Sequence, residues 1–151
     1  MNLTLLYAEL RRDEAVRDRP YLDTSKPPKL TVGVGHNLSA SPLPVGWTYP
    51  LSPTQITQLL VGDVADTLHQ LDVNLPWWRN LDEVRQRVIA NMCFNLGIAK
   101  LLGFKNALAA TERGAYPTAA AEMQDSLWYG QVGARAVRLC KAMHTGVMPA
   151  A

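Results

Sequence analysis

Five carboxylates fall within the stretch ELRRDEAVRDRPYLDTSKPPKLTVGVGHNL, and two of them have types and spacing that suit acid–base chemistry. Hydrolysis of a glycosidic bond needs one carboxyl group that protonates the leaving oxygen. It also needs a second, ionised carboxylate that activates water or supports the cationic sugar. Glu14 and Asp23, nine positions apart, are the candidates for these two tasks.

Glu14 differs from most helical acids because it continues an apolar stripe. Four residues recur on this face of a predicted helix over residues 2–14: Leu3, Leu6, Tyr7 and Leu10. At the end of that helix, burial and the negative end of the helix dipole both disfavour the ionised carboxylate, as a general acid requires. Two alternatives stay open: Glu14 is a solvated surface group, or Arg135 or Arg138 pairs with it.

The remaining acids have simpler interpretations. Glu9, Asp13 and Asp18 are interpreted as solvated surface charges, as most acids on helices are. Asp23 lies in a turn-like YLDT, where an aspartate side chain commonly hydrogen-bonds its own backbone. A chemical role for Asp23 therefore depends on Glu14 as its partner.

The segment LTVGVGH alternates in polarity with a period of two, which predicts a small β-ribbon. Leu30, Val32 and Val34 are expected to face a core. The opposite face carries Thr31, Gly33 and Gly35. Glycines there leave bare backbone that a ligand can approach closely, and Thr31 can position a water molecule. The alternative is a glycine-bearing hairpin without a ligand. The dinucleotide-binding fingerprint is incomplete, because it needs a third glycine.

His36 ends the ribbon, and Asp63 lies within the apolar stripe of a later helix, where an unpaired charge is costly. We interpret the two as a structural ion pair. Cys93 and Cys140 lie among apolar residues and are expected to be buried thiols, with a disulfide as the alternative. The histidines and cysteines lack the spacing of metal ligands, so neither a metal nor a cofactor is predicted.

The predicted elements give an α+β fold that is mostly α, in a single domain of residues 1–151. A small N-terminal lobe spans about 15–51, and a long connecting helix spans about 52–73, opened by the capping box SPTQ. A helical lobe spans about 74–146 and takes in the helix of residues 2–14. In it, Asn80 and Glu83 open a helix that Gly97 ends, and three later helices each end at a glycine.

Composition narrows the class of protein. The 151 residues are 48% hydrophobic and 19% charged, with a net charge of +2, as in ordinary globular domains. That charge is too weak to indicate a nucleic-acid partner, although the segment ARAVRLCKAMHTG is cationic. There is neither a ~20-residue apolar run nor a visible export leader, so we expect no stable membrane anchor and no signal for export. We also expect a monomer.

Several motifs together resemble one known family. LRRDEAVR, PYLDT, LTVGVGHNL, VRQRVIANMCFNLG, GFKNAL and SLWYGQVGARAVRL occur in the order and at the spacing found in the T4-type phage lysozymes, glycoside hydrolase family 24. The resemblance covers nearly the whole chain. It implies a two-lobe lysozyme fold with an active-site cleft between the lobes. It also implies hydrolysis of the β-1,4 bond between N-acetylmuramic acid and N-acetylglucosamine in peptidoglycan, with family precedent for inversion.

The resemblance also implies residue roles. Glu14 becomes the general acid, Asp23 with Thr31 holds the attacking water, and His36 with Asp63 matches a structural salt bridge. Residues that match the second lobe are Asn91 and Asn95, which line the cleft, and Arg135, which pairs with the catalytic glutamate. Asn95 stands where the family more often has glutamine. The turn TSKPPKL is two residues longer than usual and has prolines in place of the usual glycine.

The sequence thus predicts a phage endolysin that degrades peptidoglycan glycan strands for host cell lysis. Without a visible leader, it is expected to wait in the host cytoplasm and to reach the periplasm after a holin-type partner permeabilises the membrane. The alternative is a non-catalytic peptidoglycan-binding or virion baseplate module with the same fold. A helical DNA-binding protein is disfavoured by the low net charge.

Overall fold

The structure, a computed structural model, describes residues 1–150 and has an α+β fold that is mostly α, as predicted. The three strands are β1 (Val16–Leu22), β2 (Leu30–Val34) and β3 (His36–Asn37). The longer helices are α1 (Leu3–Asp13), α2 (Pro53–Asn74), α3 (Glu83–Leu96) and α8 (Ala134–Thr145). The shorter ones are α4 (Ile98–Leu102), α5 (Lys105–Glu112), α6 (Tyr116–Gln124) and α7 (Leu127–Val132), and a 3-10 helix spans Trp78–Asn80. Together these elements make a lysozyme-like fold.

The chain forms two compact units. The N-terminal unit is Thr4–Asp66, and the helical unit combines Met1–Leu3 with the chain from Thr67 onward. This grouping differs from the expectation that the first helix joins the helical lobe. Within the N-terminal unit, Arg11 Nη2 in α1 donates a hydrogen bond of 2.8 Å to Thr57 Oγ1 in α2.

The sheet of the N-terminal unit is antiparallel, in the order β1-β2-β3. Val32 and Val34 of β2 are buried as predicted, but the expected alternation is wrong, because Gly33 on the other face is buried as well. Leu30 is 43% exposed and Thr31 is buried. Leu30 pairs with the exposed Leu22 at the end of the ladder, where the sheet has no core to cover it.

The predicted capping box opens α2. Ser52 N donates to Gln55 Oε1 at 2.9 Å, and Gln55 N donates to Ser52 Oγ at 3.1 Å, so two amide groups at the helix start are satisfied reciprocally. Six apolar residues of α2 were predicted to form one stripe. Ile56, Leu60, Val64 and Leu71 are buried as predicted, whereas Leu59 and Leu68 are half-buried. The helix ends at Asn74, one residue beyond the predicted end.

Side-chain caps set the start of two helices in the helical unit, α3 and α7. Asp82, and not Asn80, caps α3 by accepting a 3.0 Å hydrogen bond from Arg85 N, and Gly97 ends this helix as predicted. The predicted helix over residues 116–130 is divided into α6 and α7, because Ser126 Oγ accepts from Tyr129 N and caps a new helix.

Cys93 and Cys140 are both buried and unpaired, as predicted. Burial raises the pKa of each thiol to about 11, so neither sulfur carries the thiolate charge that a nucleophile or metal ligand requires near neutral pH. Among residues 1–150, no helix has the length and apolarity of a membrane span. Within these 150 residues, no group of three or more His, Cys, Asp or Glu side chains lies close enough together to hold a metal ion.

Candidate active site

Glu14 lies directly after α1, against the backbone of Gly35. Its amide donates a 2.8 Å hydrogen bond to Leu10 O, which continues the helical pattern by one residue. Val16 pairs with Val34, so the start of β1 lies beside the end of β2. A Cβ atom added at Gly35 would lie 3.1 Å from Glu14 Cδ and 3.3 Å from Oε2, and Gly35 has a φ of +66°. Glycine is therefore required there both for the backbone and for the half-buried glutamate.

Asp23 closes the loop that contains SKPPK. Its Oδ1 accepts three hydrogen bonds: from Ser25 Oγ at 2.5 Å, from Lys29 N at 2.8 Å and from Ser25 N at 3.1 Å. Its own amide donates to Lys29 O at 3.0 Å. Asp23 Oδ2 accepts no hydrogen bond from residues 1–150. The two oxygens of one carboxylate therefore have different environments, one held by the loop and one available.

These hydrogen bonds favour the ionised form of Asp23. Partial burial by itself raises the pKa of this carboxyl group. The hydrogen bonds from the Ser25 hydroxyl and from the Lys29 and Ser25 amides, with the nearby Lys29 charge, outweigh burial and hold the pKa below its ordinary value. The lowered pKa favours the carboxylate form of Asp23, which is the form that a base requires.

Thr31 joins the same hydrogen-bond group through Lys29. Its hydroxyl donates a 2.9 Å hydrogen bond to Lys29 O, the carbonyl that also accepts from Asp23 N. Because a hydroxyl has one proton and two lone pairs, Thr31 Oγ1 keeps its capacity to accept. Asp23 Oδ2 and Thr31 Oγ1 are therefore two acceptors organised by one backbone residue.

Tyr21 belongs to this group, although no pattern in the sequence pointed to it. It pairs with Thr31 across the sheet, and the Arg17 guanidinium lies 4.8 Å from the centre of its ring. Burial raises the pKa of Tyr21, and the negative charges of Glu14 and Asp23 raise it further, against the effect of Arg17. The phenol therefore lies within electrostatic reach of both carboxylates.

Gly33 has a structural explanation that needs no ligand. Its φ is +64°, and an added Cβ would meet Ile56 Cγ2 at 3.6 Å and Leu59 Cδ1 at 3.8 Å, both on α2. The conformation and the packing of α2 account for the glycine. A direct contact between Gly33 and a substrate stays a prediction.

Of the three acids interpreted as solvated charges, only Asp18 is exposed. Glu9 is buried, and the side chain of Asp13 has no exposed surface and pairs with Arg12 Nε at 3.1 Å. The interpretation is wrong for Glu9 and Asp13, because the fold covers both side chains, and the stripe of apolar residues did not reveal this burial.

His36 and Asp63 form the predicted pair. His36 Nδ1 lies 2.7 Å from Asp63 Oδ2, and His36 Nε2 lies 2.7 Å from Ser41 O. Both partners are acceptors, so both ring nitrogens are best used as donors, as in the imidazolium ion. The hydrogen bond to Asp63 raises the pKa of His36, and this effect outweighs the burial that lowers it.

We predict that this pair stabilises the protein most below pH 6.5, the ordinary value for histidine. A raised folded-state pKa contributes stability that is present below the unfolded value and is lost as pH rises through the folded value. In Asp63→Asn, the free energy of unfolding should fall by about 1.5–3 kcal/mol at pH 5.5, the range for hydrogen bonds to charged groups. The deficit should shrink toward pH 9. Urea titrations across this range measure it, and a deficit that does not vary with pH would contradict the charged pair.

Known proteins with similar sequences were found, although no family model matches the chain. The chain is 31% identical over 157 residues to the pre-baseplate central spike protein Gp5 of Enterobacteria phage T4. The matched region covers 91% of the chain and 27% of that protein. It is 36% identical over 73 residues to probable T4-type lysozyme 1 of Dictyostelium discoideum, covering 48% of the chain and 43% of that protein. With probable T4-type lysozyme 2 it shares 32% over 71 residues, 47% of the chain and 42% of that protein. The chain is a relative of the T4-type lysozymes. It spans less than half the length of each of these proteins.

The helical unit of this T4-type lysozyme relative holds Asn91 and Asn95 in supporting contacts. Asn91 has no exposed surface, and its Oδ1 accepts a 2.8 Å hydrogen bond from Arg135 Nε, itself buried. Asn95 Oδ1 accepts a 2.9 Å hydrogen bond from Trp128 Nε1. In this structure Asn91 supports Arg135, and the expectation that Asn91 contacts substrate stays a prediction. The pairing of Arg135 with Glu14 and the substrate contact of Asn95 stay predictions.

We predict that Asn91→Ala lowers the free energy of unfolding by about 2–3 kcal/mol, because it removes an acceptor from a buried guanidinium group. Asn95→Ala is the matched control one helical turn away. It should cost about 1 kcal/mol, since water can reach the half-buried site and replace the amide. Equilibrium unfolding in urea measures both values. Equal losses would contradict the assignment of Arg135 as a buried charge supported by Asn91.

Ser25 and Lys29 organise the two acceptors, and neither was among the residues predicted for the site. For Ser25 a signal was present, because a serine two residues after an aspartate is common in turns of this type. Lys29 acts through its backbone amide and carbonyl, so its side-chain type carried no information about this role.

Proposed function

We propose that this chain is a peptidoglycan hydrolase, an N-acetylmuramidase that serves as a phage endolysin in host cell lysis. One observation carries the proposal. Asp23 Oδ2 and Thr31 Oγ1 are acceptors left available around Lys29, in the same unit as Glu14. The similarity to proteins named as T4-type lysozymes supports the substrate class.

In the proposed mechanism, Glu14 donates one proton and Asp23 accepts one. Glu14 donates its proton to the oxygen of the β-1,4 bond as the C–O bond to the muramic acid breaks. A water molecule donates hydrogen bonds to Asp23 Oδ2 and Thr31 Oγ1, which directs its lone pair toward the anomeric carbon. Asp23 takes the water proton as the new C–O bond forms. Because a water molecule and not a carboxylate attacks, the anomeric configuration is inverted.

Further proposals concern the surroundings of these groups. Gly33, Gly35 and Asn95 are the proposed contacts of the glycan strand, and Arg135 is proposed to pair with Glu14. No metal or cofactor has a part in this mechanism.

We predict that Glu14→Gln lowers the rate of lysis by about 10²–10⁴-fold, the usual contribution of a general acid. Turbidity loss of Gram-negative cells with permeabilised outer membranes measures lysis. Glu112→Gln is the matched control, because Glu112 is exposed at the end of α5 and should retain the wild-type rate. Wild type that clears cells no faster than Glu14→Gln would reject the catalytic assignment.

We also predict that Gly35→Ala lowers the rate of lysis, because the new Cβ displaces the Glu14 carboxyl group. Gly46→Ala is the control for backbone strain. Gly46 has a φ of +89° and no neighbouring atoms within 4 Å where a Cβ would lie. Each variant should lose about 1–2 kcal/mol of stability from the positive φ, but only Gly35→Ala should lose activity. Equal activities of the two variants, measured by the same turbidity assay, would show that Gly35 does not position Glu14.

The alternative function is a non-catalytic module of a virion baseplate. The similarity to a baseplate spike protein over 91% of the chain favours it. Saturable binding to purified cell-wall sacculi without new reducing ends would support this function. Release of reducing muramic acid would support the hydrolase, whereas anhydro-muramic acid would indicate a transglycosylase.

The cellular route to the substrate is also a proposal. The protein is proposed to wait in the host cytoplasm as a monomer until a holin-type partner permeabilises the membrane. Its detection in the periplasm of cells that lack such a partner would contradict this route.

A further inference from the structure

Two of the three backbone amides in the SKPPK loop donate to Asp23. Pro27 and Pro28 have no N–H group, so the backbone donors of these five residues belong to Ser25, Lys26 and Lys29. The amides of Ser25 and Lys29 both donate to Asp23 Oδ1. The Ser25 hydroxyl reaches the same atom. The longer turn thus concentrates its donors on one oxygen of the proposed base.

The position of the Ser25 proton follows from the two distances around Oγ. Ser25 Oγ lies 2.5 Å from Asp23 Oδ1 and 3.0 Å from Pro27 O. A hydroxyl has one proton, and two oxygens approach to 2.5 Å only with a proton between them, as in short hydrogen bonds to carboxylates. The Ser25 proton therefore lies toward Asp23.

We propose that Ser25 is a positioning residue for the hydrolysis. Its hydroxyl holds Asp23 Oδ1 in the loop and leaves Oδ2 as the oxygen that receives the proton of the attacking water. This inference rests on the proposed function. Ser25 acts through Asp23 and does not itself contact the reacting atoms.

The charges around Asp23 fit this role. Lys29 is the cation whose charge favours the carboxylate, and Tyr21 on β1 is the titratable neighbour. After burial, the Ser25 hydroxyl has the largest effect on the pKa of Asp23, and it lowers that pKa. Loss of this hydroxyl should raise the pKa of Asp23 and make the base available only at higher pH.

The test compares Ser25→Ala with Ser25→Thr, which keeps the hydroxyl, and with Thr24→Ala. Thr24 is exposed and makes no hydrogen bond with residues 1–150, so it controls for loss of a loop hydroxyl. In the full chain, carbon-13 NMR titration of the aspartate carboxyl groups measures the pKa of Asp23 without any need for activity. The pH profile of lysis is measured in parallel on permeabilised cells.

We expect Ser25→Ala to raise the pKa of Asp23 and to move the acidic limb of the pH profile to higher pH, while Ser25→Thr and Thr24→Ala keep the wild-type values. An unchanged pKa in folded Ser25→Ala would overturn the proposal, as would a raised pKa with an unmoved acidic limb. If Ser25→Ala does not fold, Ser25→Cys serves, since its weak donor should shift both measurements in the same direction, and its failure to do so overturns the proposal. If the wild type releases no reducing ends, the proposed function is contradicted. A raised pKa of Asp23 in Ser25→Ala would then still support the hydrogen bond by which Ser25 positions the carboxylate.

Discussion

The antiparallel pairing of β1 with β2 determines where the three proposed reacting groups lie. Glu14 precedes the Val16–Val34 pair at one end of the ladder, and Asp23 follows the Leu22–Leu30 pair at the other. Between Arg17 and Tyr21, β1 advances four residues while β2 advances two, so the ladder contains an irregularity that absorbs two residues. A slip of one residue would turn the Thr31 side chain to the opposite face of the sheet relative to its partner strand and end its pairing with Tyr21.

The longer turn keeps its order because it is closed by its own first residue. Asp23 exchanges hydrogen bonds with Lys29 in both directions, through its amide and its carboxylate. A glycine is the usual way to make a tight turn, since it adopts conformations that other residues avoid. Here a ring of hydrogen bonds across residues 23–29 performs that task. The interpretation of Asp23 as a turn residue and its interpretation as a base are therefore compatible, because each uses a different oxygen.

Local features were predictable from the sequence and long-range partners were not. The capping box at Ser52, the glycine that ends α3 and the burial of both cysteines depend on near neighbours or on composition. The split at Ser126 also had a local signal in its capping serine, which the helical pattern around it obscured.

The buried polar residues show the limit of such patterns. Asn91 and Arg135 are 44 residues apart, and nothing near either of them specifies the hydrogen bond between them. The burial of Glu9 and of the Asp13 side chain likewise depends on the tertiary fold and not on the local sequence pattern. For the proposed acid, the apolar stripe identified Glu14, but its contact with Gly35 needed the strand register.

The polar groups discussed in the two units differ in their access to water, and the difference matches the role proposed for each group. Asn91, which has no exposed surface, accepts a hydrogen bond from the buried Arg135, and this pair is kept away from bulk water. A base that activates water cannot be enclosed in this way, because burial of both oxygens would deny access to water and favour the protonated acid. Full exposure would leave the carboxylate free to rotate. Hydrogen bonds to one oxygen only, with the other left available, meet both requirements, and this is the arrangement that Ser25 and Lys29 give Asp23.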